Sequence, residues 1–223
     1  MSDFFKNLKK SLKAINWIEF SVLFFVIILL FLLDLFSKQF VYHKYIDTYI
    51  QNPYFSVSAI PYLFNVTLAF NKGAAWSVGF GMVGLFSMIS LIAGLALLGI
   101  FVFCFYRIPR TIRICLALAI AGDFGNLIDR FGCWIQKGIY KDGVIDFITF
   151  DFWKTFPTFN LADSYLVIAV FVALIYCIVS FLKGKRISNK ATQEVAMKNN
   201  DEFMEKLSQK QKNDSSGKND KKE

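Results

Sequence analysis

The sequence predicts a membrane α-helical protein: a four-transmembrane-helix bundle with a small extracytoplasmic β-element between spans one and two. Three observations carry that expectation. Hydrophobic residues make up 55% of the 223 positions and aromatic residues 17%, with 26 Phe, more than a soluble domain of this length can hide. These residues gather in repeated runs, each near the length of about 20 that a helical span requires. Most of the 25 Lys and Arg fall in three segments beside those runs: Lys6, Lys9, Lys10 and Lys13; Arg107, Arg110 and Arg113; and the stretch from Lys183 onward. That is the distribution the positive-inside rule produces, and it accounts for a net charge of +8 without a nucleic-acid partner.

Taken in order, residues 1–16 form a basic cytoplasmic N-terminus. Span one covers 17–40; its apolar run is too long for a signal peptide, and no small-residue cleavage site follows it. Residues 41–80 change character. The segments 54–59 and 63–70 are short, β-branched and aromatic, and Pro53 and Pro61 punctuate them, which predicts the β-element. Span two, 82–106, carries no charge at all. Span three starts after Arg113 and runs to about residue 128, with Asp123 inside it. A loop over 129–159 holds Trp134, Trp153 and Pro157, as suits an interfacial segment. Span four, 161–182, has one charge, Asp163, in its first turn. Residues 183–223 are polar and Lys-rich and are expected to form a cytoplasmic tail, disordered or with a fraying helix.

With basic flanks inside, both termini and the 107–113 loop are cytoplasmic. The outer ends of the helices then collect Asp34, Lys38, Asn71, Asn126, Asp129, Arg130 and Asp163. Ionisable groups at membrane depth are costly and point to function by default, so these positions predict one polar pocket opening outward. Asp34 and Lys38 are four apart and can pair on one helix face. Arg130 cannot lose its proton and suits anchoring of carboxylates or loop carbonyls; Asn126 and Asp129 share that supporting role.

Asp146 and Asp163 stand apart. Asp146 interrupts an apolar run, Gly143-Val-Ile-Asp-Phe-Ile148, with nothing basic adjacent. Asp163 lies at the mouth of a span in Phe159-Asn-Leu-Ala-Asp-Ser164, where Asn160 can cap the helix and Asp163 can complement its dipole. A single His, His43, leaves little for a His-rich metal site or an ordinary Ser-His pair. Of the four cysteines, Cys104, Cys115 and Cys177 sit in or beside apolar runs as small hydrophobes, and Cys133 falls in the external loop without a disulfide partner there. Two carboxylates sharing one proton can activate a water and protonate a leaving amine.

Asp34-Leu-Phe-Ser-Lys38, Asn71-Lys-Gly-Ala-Ala-Trp-Ser77, Gly125-Asn-Leu-Ile-Asp-Arg130, Val144-Ile-Asp-Phe147 and Phe159-Asn-Leu-Ala-Asp163 occur in that order. Together they resemble the motifs of bacterial lipoprotein signal peptidase (signal peptidase II), over roughly residues 17–182. The resemblance implies an aspartyl endopeptidase of the bacterial inner membrane that cuts prolipoproteins just before a diacylglyceryl cysteine. It implies Asp146 and Asp163 as the catalytic dyad. Asn71, Gly73, Asn126, Arg130 and Asn160 would line the pocket, with Asp34 and Lys38 in support. It also implies that 41–80 forms a β-cradle at the membrane surface. Lipid-modified prolipoproteins and membrane lipid are then the partners, with no cofactor, no metal and a monomeric enzyme.

Asp123 departs from that pattern. It stands one turn before Asn126, where a small or apolar residue is expected, and a buried Asp needs a partner that the sequence does not name. Three other functions use the same residues differently: a small cation transporter or channel with Asp123, Asp129 and Asp163 as its path, a serine peptidase using Ser77 and Lys38, and a non-catalytic scaffold.

Overall fold

The computed structural model describes residues 15–73 and 82–219. The basic residues Lys6, Lys9, Lys10 and Lys13 and the end of the second motif, including Ser77, lie outside the described residues. Helix α1 spans Trp17–Gln51, strand β1 Val57–Ile60, strand β2 Phe64–Asn71, and helix α2 Val83–Cys104 with a 3-10 turn, Phe105–Arg107, at its end. Helix α3 follows at Arg110–Trp134, strand β3 at Val144–Phe150, and helix α4 at Leu161–Asn219. All four helices are long and apolar enough to cross a membrane. Their outer faces expose side chains such as Phe25, Phe36, Ile92, Phe103 and Phe171, each well over half accessible. Such surfaces suit lipid, and the chain is an integral membrane protein.

The chain forms two compact units, one reaching to Ala173 and one from Leu174 onward. The first holds the sheet, the site and the helix packing described below. The second is the helical stretch 174–219. Its backbone stays helical past residue 183, where the sequence predicts disorder or fraying. Lys, Gln, Glu, Ala and Met favour helix, and the last of the four prolines is Pro157.

Helix α1 begins at Asn16, whose side chain accepts the Glu19 backbone N–H at 3.3 Å. Its 35 residues extend about 52 Å, well beyond a hydrocarbon core of about 30 Å. The final turns therefore leave the membrane. Residues 41–51 are helical, correcting the expectation that the β-element starts at 41. The reason lies in spacing: Val41, Tyr45 and Tyr49, with Tyr42 and Ile46, form one helical face. They pack on Phe55, Leu68, Phe70, Ile145 and Phe147 of the sheet region. Only Asn52 and Pro53 end the helix.

The sheet is antiparallel in the order β1-β2-β3. Its first two strands are the pair expected between spans one and two. The third comes from between spans three and four, which the sequence predicts as loop. Helix α3 continues through Asp129, Arg130 and Cys133 to Trp134, and the β-branched, aromatic run from Val144 adds to β2. Asn71 pairs with Val144 and Ala69 with Asp146. Asp146 thus stands on a strand, and Cys133 is buried in a helix. Gly143 makes the entry to β3 possible. Its φ of +137° belongs to glycine, and a Cβ there would lie 2.7 Å from the Asn71 carbonyl oxygen.

At the bundle end away from the sheet, Arg113 pairs with Glu19 at 2.7 Å. It also donates to the Ile108 carbonyl at 2.7 Å and lies 4.4 Å above the Phe105 ring. This joins the starts of α1 and α3 to the turn after α2. Close helix approach elsewhere uses glycine: a Cβ on Gly122 would lie 2.5 Å from the Ala162 carbonyl oxygen, and one on Gly125 2.6 Å from Asp34 Oδ2.

Candidate active site

The site is built where β3 meets the start of α4. Phe147 and Ile148 donate their backbone N–H groups to the Phe159 carbonyl at 3.0 and 2.8 Å, and the Phe159 N–H returns to the Ile148 carbonyl at 3.0 Å. These bonds fold the segment after β3 back along the strand. They deliver the next residue, Asn160, to the N-cap of α4 beside Asp146.

Asn160 organises both aspartates. Its side-chain oxygen accepts the Asp163 N–H at 3.0 Å, while its own backbone N–H donates to Asp163 Oδ2 at 3.2 Å. This reciprocal arrangement is a capping box with Asp in the third position. It gives Asp163 a structural reason to be there, but uses only one carboxylate oxygen. The other, Oδ1, accepts the Asn126 amide at 2.7 Å. The Asn160 amide nitrogen lies 2.7 Å from Asp146 Oδ1, 3.0 Å from Asn126 Oδ1 and 3.3 Å from the Ile145 carbonyl. Two amide hydrogens serve these acceptors, and the two shorter contacts are the stronger.

Behind this layer sits a buried ion cluster. Lys38, fully inaccessible, lies 2.7 Å from Asp34 Oδ2 and 2.9 Å from Asp129 Oδ2. It also donates to Asn126 Oδ1 at 3.1 Å. These three close partners match the three hydrogens of an ammonium, and the Gly125 carbonyl stands farther off at 3.5 Å. Asp34 accepts the Ala162 N–H at 2.9 Å, and Asp129 accepts the Ile145 N–H at 3.3 Å. One cation therefore ties α1, α3, β3 and the first turn of α4 together. The sequence marks the Asp34–Lys38 pair by its spacing. It leaves the Asp129 partner unmarked, because that contact spans 91 positions.

In front of the layer lies a cavity of about 860 Å³. Asn71, Asn126, Arg130, Asp146 and Asp163 line its polar side, and Phe64, Phe150, Phe156, Phe159 and Leu166 line much of the rest. Val167 and Ile168 also line it while being 68% and 49% exposed on the lipid-facing surface of α4, so the cavity continues toward the bilayer. Gly73 is buried and donates its N–H to the Asn71 side chain at 2.9 Å. Asp34, Lys38, Asp129 and Asn160 are buried behind the cavity wall. This corrects the expectation that Asn160 lines it: its amide is turned onto Asp146 and Asn126 instead. Burial, then the nearby charge of Asp163, push the Asp146 carboxyl well above its ordinary range; Lys38 and hydrogen bonds from Asn71 and Asn160 oppose the shift.

Residues 26–179 match the family described as signal peptidase (SPase) II. The chain belongs to this family. Curated relatives of the signal peptidase II chain include the lipoprotein signal peptidases of Staphylococcus aureus strains JH9 and Newman. Each is 36% identical over 141 residues, covering 63% of this chain and 77% of the relative. Two solved structures described as bacterial membrane enzymes also resemble it. One has a TM-score of 0.56 at 27% identity, covering 72% of this chain and 90% of that one. The other has a TM-score of 0.52 at 28% identity, covering 70% and 92%. The matched region contains all ten predicted site residues and ends before the Lys-rich stretch.

Asp123, the departure noted above, gains a partner across the bundle: Ser90 of α2 donates to its Oδ1 at 2.7 Å. Asp123, Asp129 and Asp163 face different surroundings, namely α2, the Lys38 cluster and the cavity. They do not form the continuous file a cation path needs.

Proposed function

We propose that this signal peptidase II family member is an aspartyl endopeptidase. It removes signal peptides from prolipoproteins of the bacterial cytoplasmic membrane, cutting before a cysteine that bears diacylglycerol. The observation that carries the proposal is the Asn160 bridge, which holds Asp146 and Asp163 at one polar wall of a cavity that continues toward lipid. Two carboxyls so placed share a proton, because like charges in a poorly solvated site do not both ionise. Burial assigns that proton to Asp146, while both oxygens of Asp163 act as acceptors.

In the proposed reaction, water sits between the pair and the scissile carbonyl. Asp163 takes a proton from the water as its oxygen bonds to the carbonyl carbon, and Asp146 gives its proton to the carbonyl oxygen. The tetrahedral intermediate then collapses. The C–N bond breaks, the departing amine takes the proton held by Asp163, and the hydroxyl proton returns to Asp146. Arg130, with several N–H donors and no acceptor, binds peptide carbonyls at the cavity wall. The acyl chains stay against Val167, Ile168 and the bilayer, each buried CH₂ contributing about 0.8 kcal/mol. The site faces outward, since the Arg107, Arg110 and Arg113 end of the bundle is cytoplasmic.

The test is cleavage of a diacylglyceryl-modified prolipoprotein by the purified protein in detergent. The wild type should release the signal peptide. Asp146→Asn and Asp163→Asn should each abolish release while still accumulating in membranes, and the double variant should be no worse, because the two act as a unit. A precursor with an unmodified cysteine should be cut far more slowly. Near-normal cleavage by Asp163→Asn would overturn the aspartyl mechanism.

A further inference from the structure

Asp123 is a membrane-depth carboxylate that the chemistry above does not use. Its Oδ1 accepts the Ser90 hydroxyl at 2.7 Å, but its Oδ2 is buried without a hydrogen-bond partner among the described residues. Space for that oxygen comes from Gly94, one turn beyond Ser90 on α2: a Cβ there would collide with the Asp123 carboxylate. Ser90 and Gly94 thus form a fitted seat, one donating a hydrogen bond and the other withholding a methyl group.

Seven residues on, nearly two full helical turns, stands Arg130 on the same face of α3. The two Cα atoms are about 10.5 Å apart along the axis. Helix side chains lean toward the N-terminus, so the long Arg130 side chain leans back toward Asp123. Opposite charges so placed attract each other across a poorly solvated helix bundle. Arg130 Nε, like Asp123 Oδ2, is buried without a hydrogen-bond partner among the described residues, while Arg130 also lines the cavity. Two groups of opposite charge on one helix face, each with a buried atom that makes no hydrogen bond among the described residues, are less costly when their charges attract each other.

We propose that Asp123 is a positioning residue: seated by Ser90 and Gly94, its charge draws the Arg130 guanidinium into the orientation that receives the substrate backbone. Asp123 touches neither substrate nor the reacting atoms. Its effect passes through Arg130, and the inference rests on the reading of Arg130 as a substrate-binding side chain in a peptidase. Arg130 is long and has several rotatable bonds, so without a fixed anion on its membrane side it samples other rotamers. The substrate must then select the productive one, which weakens binding.

The test separates charge from interhelical bonding. Asp123→Asn keeps an oxygen for the Ser90 hydroxyl but removes the charge, whereas Ser90→Ala removes the tie and leaves the charge. Cleavage kinetics on a diacylglyceryl-modified prolipoprotein in detergent, with melting temperature, are measured for each variant. Asp123→Asn should raise KM about tenfold, the scale for a group that orients another, with kcat changed by less than about threefold and Tm nearly unchanged. Ser90→Ala should lower Tm with a much smaller rise in KM. In an Arg130→Lys background, adding Asp123→Asn should raise KM no further, since the fork it orients is gone. If Asp123→Asn fails to accumulate, Gly94→Ala serves instead: it displaces the carboxylate without neutralising it and should also raise KM.

An unchanged KM in Asp123→Asn, or an equal additional rise in the Arg130→Lys background, overturns the inference. Absence of cleavage by the wild type would instead reject the peptidase reading beneath it.

Discussion

Replacing Lys38 with Met tests whether the buried ion cluster holds the site together. Met fills most of the lysine volume but brings no charge. The ammonium lies 2.7 Å from Asp34 and 2.9 Å from Asp129, with all three side chains inaccessible. Its removal leaves two carboxylates facing each other without a cation. Breaking a buried pair by deleting one partner costs about 3–5 kcal/mol. At roughly 2–4 °C of melting temperature per kcal/mol for a chain of this size, Lys38→Met should melt about 6–20 °C lower. Thermal unfolding of the purified protein in detergent, followed by tryptophan fluorescence, reads this directly. The triple variant Lys38→Met, Asp34→Asn, Asp129→Asn removes all three charges and should regain much of the lost stability, although the hydrogen bonds to Ala162 and Ile145 are weaker without charged acceptors. Melting of the single variant within about 2 °C of wild type, or a triple variant less stable than the single one, would refute the structural role assigned to the cluster.

Other expectations follow from individual contacts. Asp146 is held above the ordinary carboxylate range, so the folded state binds its proton more tightly than the unfolded state. Stability should therefore fall from about pH 4 upward, until the pH passes the raised folded value; melting curves should show Asp146→Asn gaining on wild type across that window and matching it in acid. Gly143→Ala forces a side chain into a left-handed backbone against Asn71 and should cost about 1–3 kcal/mol, with reduced cleavage but unchanged helix content by circular dichroism. Deleting residues 188–223, beyond the matched 26–179 region, should leave membrane insertion and cleavage nearly unchanged in a membrane-fraction assay. Reporter fusions after residue 13, near 109 and after 186 should read cytoplasmic, and those near 50 and 140 external; an external C-terminus would undo the assigned orientation.

The spans were legible because lipid imposes a length and a composition that few other environments require. Asp34, Lys38, Asp129, Arg130 and Asp163 stand out in the sequence because charges are rare at membrane depth. The sequence reads them as one pocket, but only Arg130 and Asp163 of these five line the cavity, and Asp34, Lys38 and Asp129 form an ion cluster behind it. What escaped were relations between distant segments. Nothing local in Val144-Ile-Asp-Phe147 distinguishes an interfacial loop from a strand until β2 is beside it. The tyrosines at 42, 45 and 49 suit a strand by composition, and only their packing against the sheet explains why α1 keeps them. Ser90 is one hydroxyl in an apolar span, ordinary until Asp123 is seen across from it.

The same distinction explains how two aspartates on unlike elements come to line one cavity. A strand fixes side-chain direction through its neighbours, and Asp146 inherits its place from the β2–β3 register beside Ala69. A helix start fixes direction through its cap, and Asp163 inherits its place from Asn160. Neither element alone controls the relation between the carboxyls. Asn160 does, because its backbone belongs to the cap while its amide reaches Asp146 at 2.7 Å. The Phe159 bonds to β3 then fix where that cap can form, and the Lys38 cluster holds α3 and the α4 start against it. Placing one carboxyl on a strand and the other on a capped helix also gives them different surroundings. Asp146 is almost wholly buried at the cavity wall, whereas Asp163 is only half-buried and accepts from a backbone N–H and from Asn126. In the proposed mechanism a shared proton serves hydrolysis only when the two sites differ, since one must give while the other takes. The joint between strand and helix supplies that difference through geometry.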